Sequence, residues 1–120
     1  MTTSNPSLLQ GFKQLQEDSQ RIARKSGFYD DEDPTNVRDI ASRLLLIVSE
    51  ITEGLEEVRA NKPARYYENN KPEGLAVELA DAIIRIADFA EWQGFDLGEI
   101  ILDKQAYNET RPYKHGGKAI

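Results

Sequence analysis

Hydrophobic residues along this chain recur at spacings of three and four, which is the periodicity of amphipathic α-helices. Four segments follow this pattern, at about residues 7–25, 36–61, 72–93 and 96–110. The pattern predicts an all-α fold, a bundle of four to five helices. The first segment has an apolar stripe typical of a helix used for packing or for subunit contact.

Residues that begin or end helices separate the four segments. The candidate N-caps are Ser7, Asp33 or Thr35, and Asp96, and the prolines suited to a first helical turn are Pro34 and Pro72. The candidate stops are Gly27, Pro63, Gly94 and Pro112. Residues 64–71, with the sequence ARYYENNK, are expected to form a polar connection. Residues 1–6 and 112–120 are expected to be flexible.

The two middle helices differ in how their polar residues are arranged. The second helix has one broad apolar arc and a separate narrow acidic stripe, formed by Glu50, Glu53 and Glu57. The third helix is apolar over most of its circumference, so it is predicted to be the central helix. Its single polar stripe contains Glu78, Asp81, Arg85 and Asp88, with Trp92 at the end. The acids of this helix are therefore expected to face the interior.

Length and composition restrict the class of protein. A chain of 120 residues is expected to form one domain, residues 1–120. The formal charge of −6 argues against nucleic acid and anionic membrane as partners. No apolar run approaches the ~20 residues of a transmembrane helix. The absence of cysteine and of a signal-peptide pattern fits a cytoplasmic protein.

Two acid pairs carry the candidate chemistry, Glu50 with Glu53 and Glu78 with Asp81, each spaced i, i+3. Antiparallel neighbouring helices would bring the pairs together, and two carboxylates about 5 Å apart repel by ~3 kcal/mol at a dielectric constant of 20. Mg²⁺ or Mn²⁺ would relieve this repulsion, because hard cations bind oxygen ligands. A solvated acidic face remains an alternative, with Arg85 neutralising an acid one turn away, Asp81 or Asp88.

The chain has one histidine, His115, which excludes a di-iron site with two Glu-x-x-His motifs and argues against a serine–histidine triad. Basic and amide side chains follow the acids at Lys104, Asn108, Arg111, Lys114 and Lys118. The first three lie on one face of the fourth helix. They suit the binding of a phosphate chain. A basic C-terminal surface without a ligand is the alternative.

Together these motifs resemble the all-α nucleotide pyrophosphohydrolases of the MazG-like superfamily. The matching residues are Glu50-Ile51-Thr52-Glu53, Glu78-Leu79-Ala80-Asp81 and the Lys, Asn, Arg and His-Gly pattern of KQAYNETRPYKHGGK. The resemblance covers about residues 35–118. It implies Mg²⁺-dependent hydrolysis of a nucleoside triphosphate to the monophosphate and pyrophosphate by a helical homodimer or homotetramer.

The resemblance also suggests roles for individual residues. Metal ions would be held by Glu50, Glu53, Glu78 and Asp81, and either Glu50 or Glu53 would take the proton of the attacking water. Substrate would be bound by Lys104, Asn108, Arg111 and Lys118, with Trp92 either stacking on the base or packing in the core. The alternatives are a related enzyme acting on phosphoribosyl-ATP or a modified nucleotide, and a non-enzymatic acidic interaction module. The nearly all-round apolar third helix independently predicts a homo-oligomer.

Overall fold

A computed structural model describes residues 4–113 of the chain. It contains the helices α1 (Pro6–Lys25), α2 (Val37–Arg59), α3 (Leu75–Gln93) and α4 (Leu97–Glu109). Two short strands, β1 (Tyr66–Glu68) and β2 (Lys71–Glu73), form an antiparallel hairpin between α2 and α3. The described part of the chain is therefore mostly helical, which agrees with the all-α prediction at the level of the four helices.

The helix starts differ from the sequence prediction at three places. Asn5, and not Ser7, caps α1, because its side chain accepts a hydrogen bond from the Leu8 amide. Asn36 caps α2, since its Oδ1 accepts from the amides of the second and third helical residues. Pro72 lies in β2, so α3 begins later, after Gly74. Asp96 caps α4 as predicted, with its side chain accepting from the Glu99 amide.

The connection at residues 64–71 contains a hairpin that the sequence reading missed. A two-residue turn joins Glu68 to Lys71, and both turn residues, Asn69 and Asn70, have positive φ, at 51° and 66°. This is the backbone of a type I′ turn, in which asparagine is a favoured residue. Strands of three residues are too short to show a clear alternation of apolar and polar residues. The Asn69-Asn70 pair is therefore the feature of the sequence that could have indicated the hairpin turn.

Helix α3 is central, as predicted, and packs against both α1 and α2, whereas α4 packs on α1. The close packing on α3 uses small side chains, Ala82, Ala87 and Ala90. An aromatic cluster joins α3 to the loop after α1, where the Trp92 ring lies 5.2 Å from Tyr29 and 5.8 Å from Phe89 between centroids. The core of the single chain is thus built from alanines and one aromatic cluster.

Much of the apolar surface of α2 and α3 stays exposed in the single chain. None of the large side chains in residues 4–113 is fully buried. The exposed apolar residues of α2 repeat at spacings of four and three, at Leu44, Val48, Ile51, Leu55 and Val58. Those of α3 include Leu79, Ile83 and Ile86 at the same spacings. Such heptad-like stripes are typical of helices that pack against other helices.

No helix within residues 4–113 is both long enough and apolar enough to span a membrane.

Candidate metal centre

The predicted acids of α2 and α3 meet in the structure. Carboxylate oxygens of Glu50, Glu78 and Asp81 all lie within 4.8 Å of one another. Glu50 comes from α2 and the other two from α3, so packing of the two helices assembles the group. The expectation that the two acid pairs converge is confirmed for these three residues.

A glycine allows the helices to come this close. Gly54 is buried, and a Cβ atom at this position would lie 3.0 Å from Leu75 Cδ1 and 3.5 Å from Glu78 Cβ. Glycine in the middle of a helix costs up to about 1 kcal/mol against alanine. In return for this cost, the absence of a side chain at Gly54 lets α3 pack directly against the α2 backbone, one turn from Glu50.

The fourth predicted acid, Glu53, joins the group from its solvent side. Its carboxyl group is within hydrogen-bonding reach of Glu50 and Glu78. Unlike Glu50, which is buried, Glu53 is exposed. It lines a cavity of about 410 Å³ together with Glu78 and with Lys71 of the hairpin. Glu53 is therefore the acid of the group most open to a molecule entering from solvent.

Crowding changes the protonation of the group. Burial, reinforced by Glu50 and Glu53, raises the pKa of Glu78 to about 8. Burial and the Glu50 charge also raise the pKa of Asp81. The acids consequently share a proton at neutral pH, and they are short of positive charge. A hard divalent cation suits this set of oxygen donors and would replace the proton.

Glu50 behaves differently because it has a cationic partner. The Arg85 Nε donates a 2.6 Å hydrogen bond to Glu50 Oε1. Burial acts to raise the pKa of Glu50, but Arg85 and the hydrogen bonds with Glu78 and Glu53 outweigh it and lower the pKa. Helical spacing predicts that the partner of Arg85 is Asp81 or Asp88, one turn away on the same helix. The structure gives it a partner on α2 instead.

The hairpin adds residues to the site that the sequence analysis did not select. Tyr66 donates its hydroxyl to both oxygens of Glu57, at 2.9 and 3.0 Å. Lys71 Nζ forms an ion pair with Glu73 Oε1 at 3.2 Å. Carboxylate oxygens of Glu57, Glu73 and Glu78 form a second group within 4.8 Å of one another. Glu78 belongs to both groups, so the hairpin extends the acidic surface along α2.

A second cleft, of about 420 Å³, begins at the same acids and runs between α1 and α3. Glu50, Asp81 and Arg85 line one end of it. Its walls include the apolar side chains of Leu15, Ile22, Phe28 and Ile84. The three acids thus lie between an acidic cavity on the hairpin side and a mainly apolar cleft on the α1 side.

The predicted phosphate-binding residues of α4 lie elsewhere in the single chain. Lys104, Asn108 and Arg111 are exposed. Lys104 Nζ lies 4.8 Å and Arg111 Cζ 5.2 Å from the centroid of the Tyr107 ring. Within residues 4–113, no hydrogen bond or ion pair links this basic face to the acids. Lys118, with Lys114 and His115, lies outside the described residues.

Trp92 occupies a core position. It is buried between Tyr29 and Phe89, at the far end of the α3 polar stripe from Glu78. Of the two interpretations of this residue, the structure favours core packing over stacking on a base.

The chain shows no significant match to family models of proteins, to curated proteins or to solved structures. Inference about its function therefore depends on the geometry of the acid group and on the motifs that compose it.

Proposed function

We propose that this chain is a Mg²⁺-dependent nucleoside triphosphate pyrophosphohydrolase, with Mn²⁺ as a possible substitute. The observation that carries the proposal is the convergence of carboxylate oxygens of Glu50, Glu78 and Asp81 within 4.8 Å, from two helices. Structural acids on a helix surface have no need to meet in this way, because their repulsion destabilises the fold. The MazG-like pattern of the same residues supplies the reaction class.

The four acids take different roles in this proposal. Glu50, Glu78 and Asp81 hold the metal, since they are the close group. A bound divalent cation neutralises phosphate charge and lowers the pKa of a water molecule. Glu53 would be better placed than Glu50 to accept the proton of a water that attacks the α-phosphorus with pyrophosphate as the leaving group, because Glu53 is exposed and Glu50 is held by Arg85. Lys71, on the wall of the same cavity, faces the phosphate chain.

We further propose that the protein is a homodimer or homotetramer. The support is the pair of exposed heptad-like stripes on α2 and α3, which would form the seam of a larger helical bundle. An assembly also offers a place for the basic face of α4. Because Lys104, Asn108 and Arg111 do not reach the acids of their own chain, we expect them to serve phosphate binding at the acids of another copy.

The test is a substrate panel with purified protein and Mg²⁺, measuring pyrophosphate release. The panel contains ribo- and deoxyribonucleoside triphosphates, phosphoribosyl-ATP and modified nucleotides. We expect Glu53→Gln and Asp81→Asn each to lower kcat at least about 100-fold with the helical content unchanged. Glu17→Gln, which removes an exposed charge on α1, is the matched control and should keep full activity.

Three results separate the alternatives. Turnover of phosphoribosyl-ATP or of a modified nucleotide alone identifies a related pyrophosphohydrolase. The absence of turnover and of saturable Mg²⁺ binding indicates a non-enzymatic interaction module. Full activity in both acid variants would refute the assignment of the site.

A further inference from the structure

Arg85 binds one oxygen of Glu50, a carboxylate of the candidate metal centre. The side chain of Glu50 is 8% exposed, and its Oε1 accepts the 2.6 Å hydrogen bond from Arg85 Nε. The same carboxylate belongs to the group of three with Glu78 and Asp81. One buried carboxylate is therefore shared between a guanidinium group and a candidate metal centre.

The two cations compete for Glu50. A guanidinium group and a divalent ion that contacted the same carboxylate would repel each other. A carboxylate that is already paired with Arg85 also attracts a metal ion less strongly. The charged groups near Arg85 include acids and a second arginine, Arg43, which lines a cavity of about 300 Å³ together with Arg85. Asp81 and Asp88 lie one turn away on either side along α3, and Asp88 is held by Gln20 of α1. Within residues 4–113, Arg85 has its ion pair with Glu50 alone.

The Arg85 side chain lies next to a cleft that it could enter after leaving Glu50. Its side chain is 31% exposed and lines the 420 Å³ cleft that begins at Glu50 and Asp81. A guanidinium group that leaves Glu50 can turn into this cleft. Four acids also line this cleft, Asp18, Glu50, Asp81 and Asp88, and within residues 4–113 Arg85 is the one cationic side chain among its lining residues. Because arginine binds phosphate oxygens in a bidentate manner and is weakly hydrated, it is the lining residue suited to an anionic ligand.

We propose that Arg85 is a displaceable counterion of the metal centre, which neutralises Glu50 before metal binds and contacts a phosphate oxygen of the nucleotide afterwards. This inference rests on the proposed function, since it requires both a metal and an anionic substrate. It assigns to α3 of the same chain a phosphate-binding cation that the α4 residues do not provide within one chain.

The test compares Mn²⁺ binding by wild-type protein with binding by Arg85→Gln, Arg85→Lys and Arg43→Gln, using calorimetry without nucleotide. Arg85→Gln should bind Mn²⁺ about tenfold more tightly, which is the effect of a unit charge ~5 Å from a divalent ion even at the dielectric constant of water. Arg85→Lys keeps the charge and should bind like the wild type. Arg43→Gln is the control, because it removes a neighbouring positive charge that is paired with Glu32 at 2.9 Å and makes no ion pair with Glu50.

Nucleotide binding should change in the opposite direction. We expect the KM for the best triphosphate to rise about tenfold in Arg85→Gln and by less in Arg85→Lys, which keeps the charge but loses the bidentate geometry. A residue that only stabilises the fold would weaken metal and nucleotide binding together. Melting temperatures of all variants, measured beforehand, identify any variant that is not folded. Arg85→Lys keeps the test decisive if Arg85→Gln fails to fold, because the displaceable counterion then requires wild-type Mn²⁺ affinity together with a raised KM in the lysine variant.

Unchanged or weaker Mn²⁺ binding by folded Arg85→Gln, or an unchanged KM, would overturn the role of Arg85. If wild-type protein still binds Mn²⁺ and releases pyrophosphate, the proposed function stands without it. If wild-type protein binds no Mn²⁺, the proposed function fails and the role of Arg85 fails with it.

Discussion

Metal binding should become weaker as the pH falls through the range in which Glu78 takes up a proton. The pKa of Glu78 is raised to about 8 by burial and by Glu50 and Glu53, so its carboxyl group is mostly protonated at pH 7. A protonated carboxyl must lose its proton before it can act as a ligand. The apparent dissociation constant for Mg²⁺ therefore depends on pH in this range even though the metal itself does not titrate.

The size of the effect follows from that pKa. Proton competition multiplies the dissociation constant by about 2 at pH 8, about 11 at pH 7 and about 100 at pH 6. We expect a loss of affinity of about 50-fold between pH 8 and pH 6, or about 2.3 kcal/mol. The raised pKa of Asp81 acts in the same direction.

Calorimetric titration with Mg²⁺ at several pH values measures this dependence. Repeating each titration in two buffers of different ionisation enthalpy counts the protons released, which should approach one per metal at pH 6. Glu78→Gln should lose the pH dependence together with part of the affinity. Glu17→Gln should keep both. A change of less than about threefold between pH 8 and pH 6 in the wild type would refute the reasoning.

The same proton affects stability without metal. Because the folded state raises the pKa of Glu78 above its ordinary value of 4.5, the folded state binds the proton more tightly than the unfolded state. The free energy of unfolding should therefore fall as the pH rises from about 4.5 to 8. Thermal unfolding of metal-free protein should give a higher Tm at pH 6 than at pH 8, and saturating Mg²⁺ should reduce or reverse this difference.

Three further substitutions test other parts of the structure. Gly74→Ala should destabilise the protein by about 2–4 kcal/mol, measured by urea unfolding. The reason is that Gly74 has a φ of 111° and that a Cβ at this position would lie 2.4 Å from the Ala64 carbonyl oxygen. Wild-type stability of the variant would contradict this backbone geometry. Val48→Lys should weaken self-association at least about 100-fold by light scattering, since Val48 is 57% exposed in one chain and lies on the proposed seam. Leu45→Lys is the control, at a 66% exposed leucine of α2 that lies outside the stripe. Unchanged association in Val48→Lys would argue against the seam. Trp92→Phe should lower the free energy of unfolding by about 1–3 kcal/mol, because Trp92 is buried, and should leave the KM within about twofold. A large rise in KM would instead support the hypothesis that Trp92 stacks on the nucleotide base.

The helical part of the fold could be predicted because helix formation leaves a local periodic signal. The central position of α3 and the convergence of the acids followed from the single polar stripe on an otherwise apolar helix. Helix starts were less accurate, since Asn5 and Ser7 are both good N-caps and only the backbone decides between them.

The unpredicted features depend on contacts between segments distant in sequence. Local helical spacing offered Arg85 an acid one turn away, whereas its true partner, Glu50, is 35 residues distant along the chain. The sequence likewise could not show that Gly54 is a contact point between helices. Lys104 and Arg111 both lie near the ring of Tyr107, but α4 ends at Glu109, so Arg111 is outside the helix and not on its face as predicted. A face shared in sequence also does not determine which element it packs near.

Gly54 also has a consequence for the selection of one ion over another. A Cβ at this position would lie 3.0 Å from Leu75 Cδ1, so any larger residue at position 54 would force the Leu75 side chain or α3 to move away. Metal–oxygen distances are about 2.1 Å for Mg²⁺ and about 2.4 Å for Ca²⁺. The separation of α2 and α3 therefore bears on the size of the ion that the acids can bind. A larger side chain at position 54 would move the helices apart and would raise the affinity for Ca²⁺ relative to Mg²⁺.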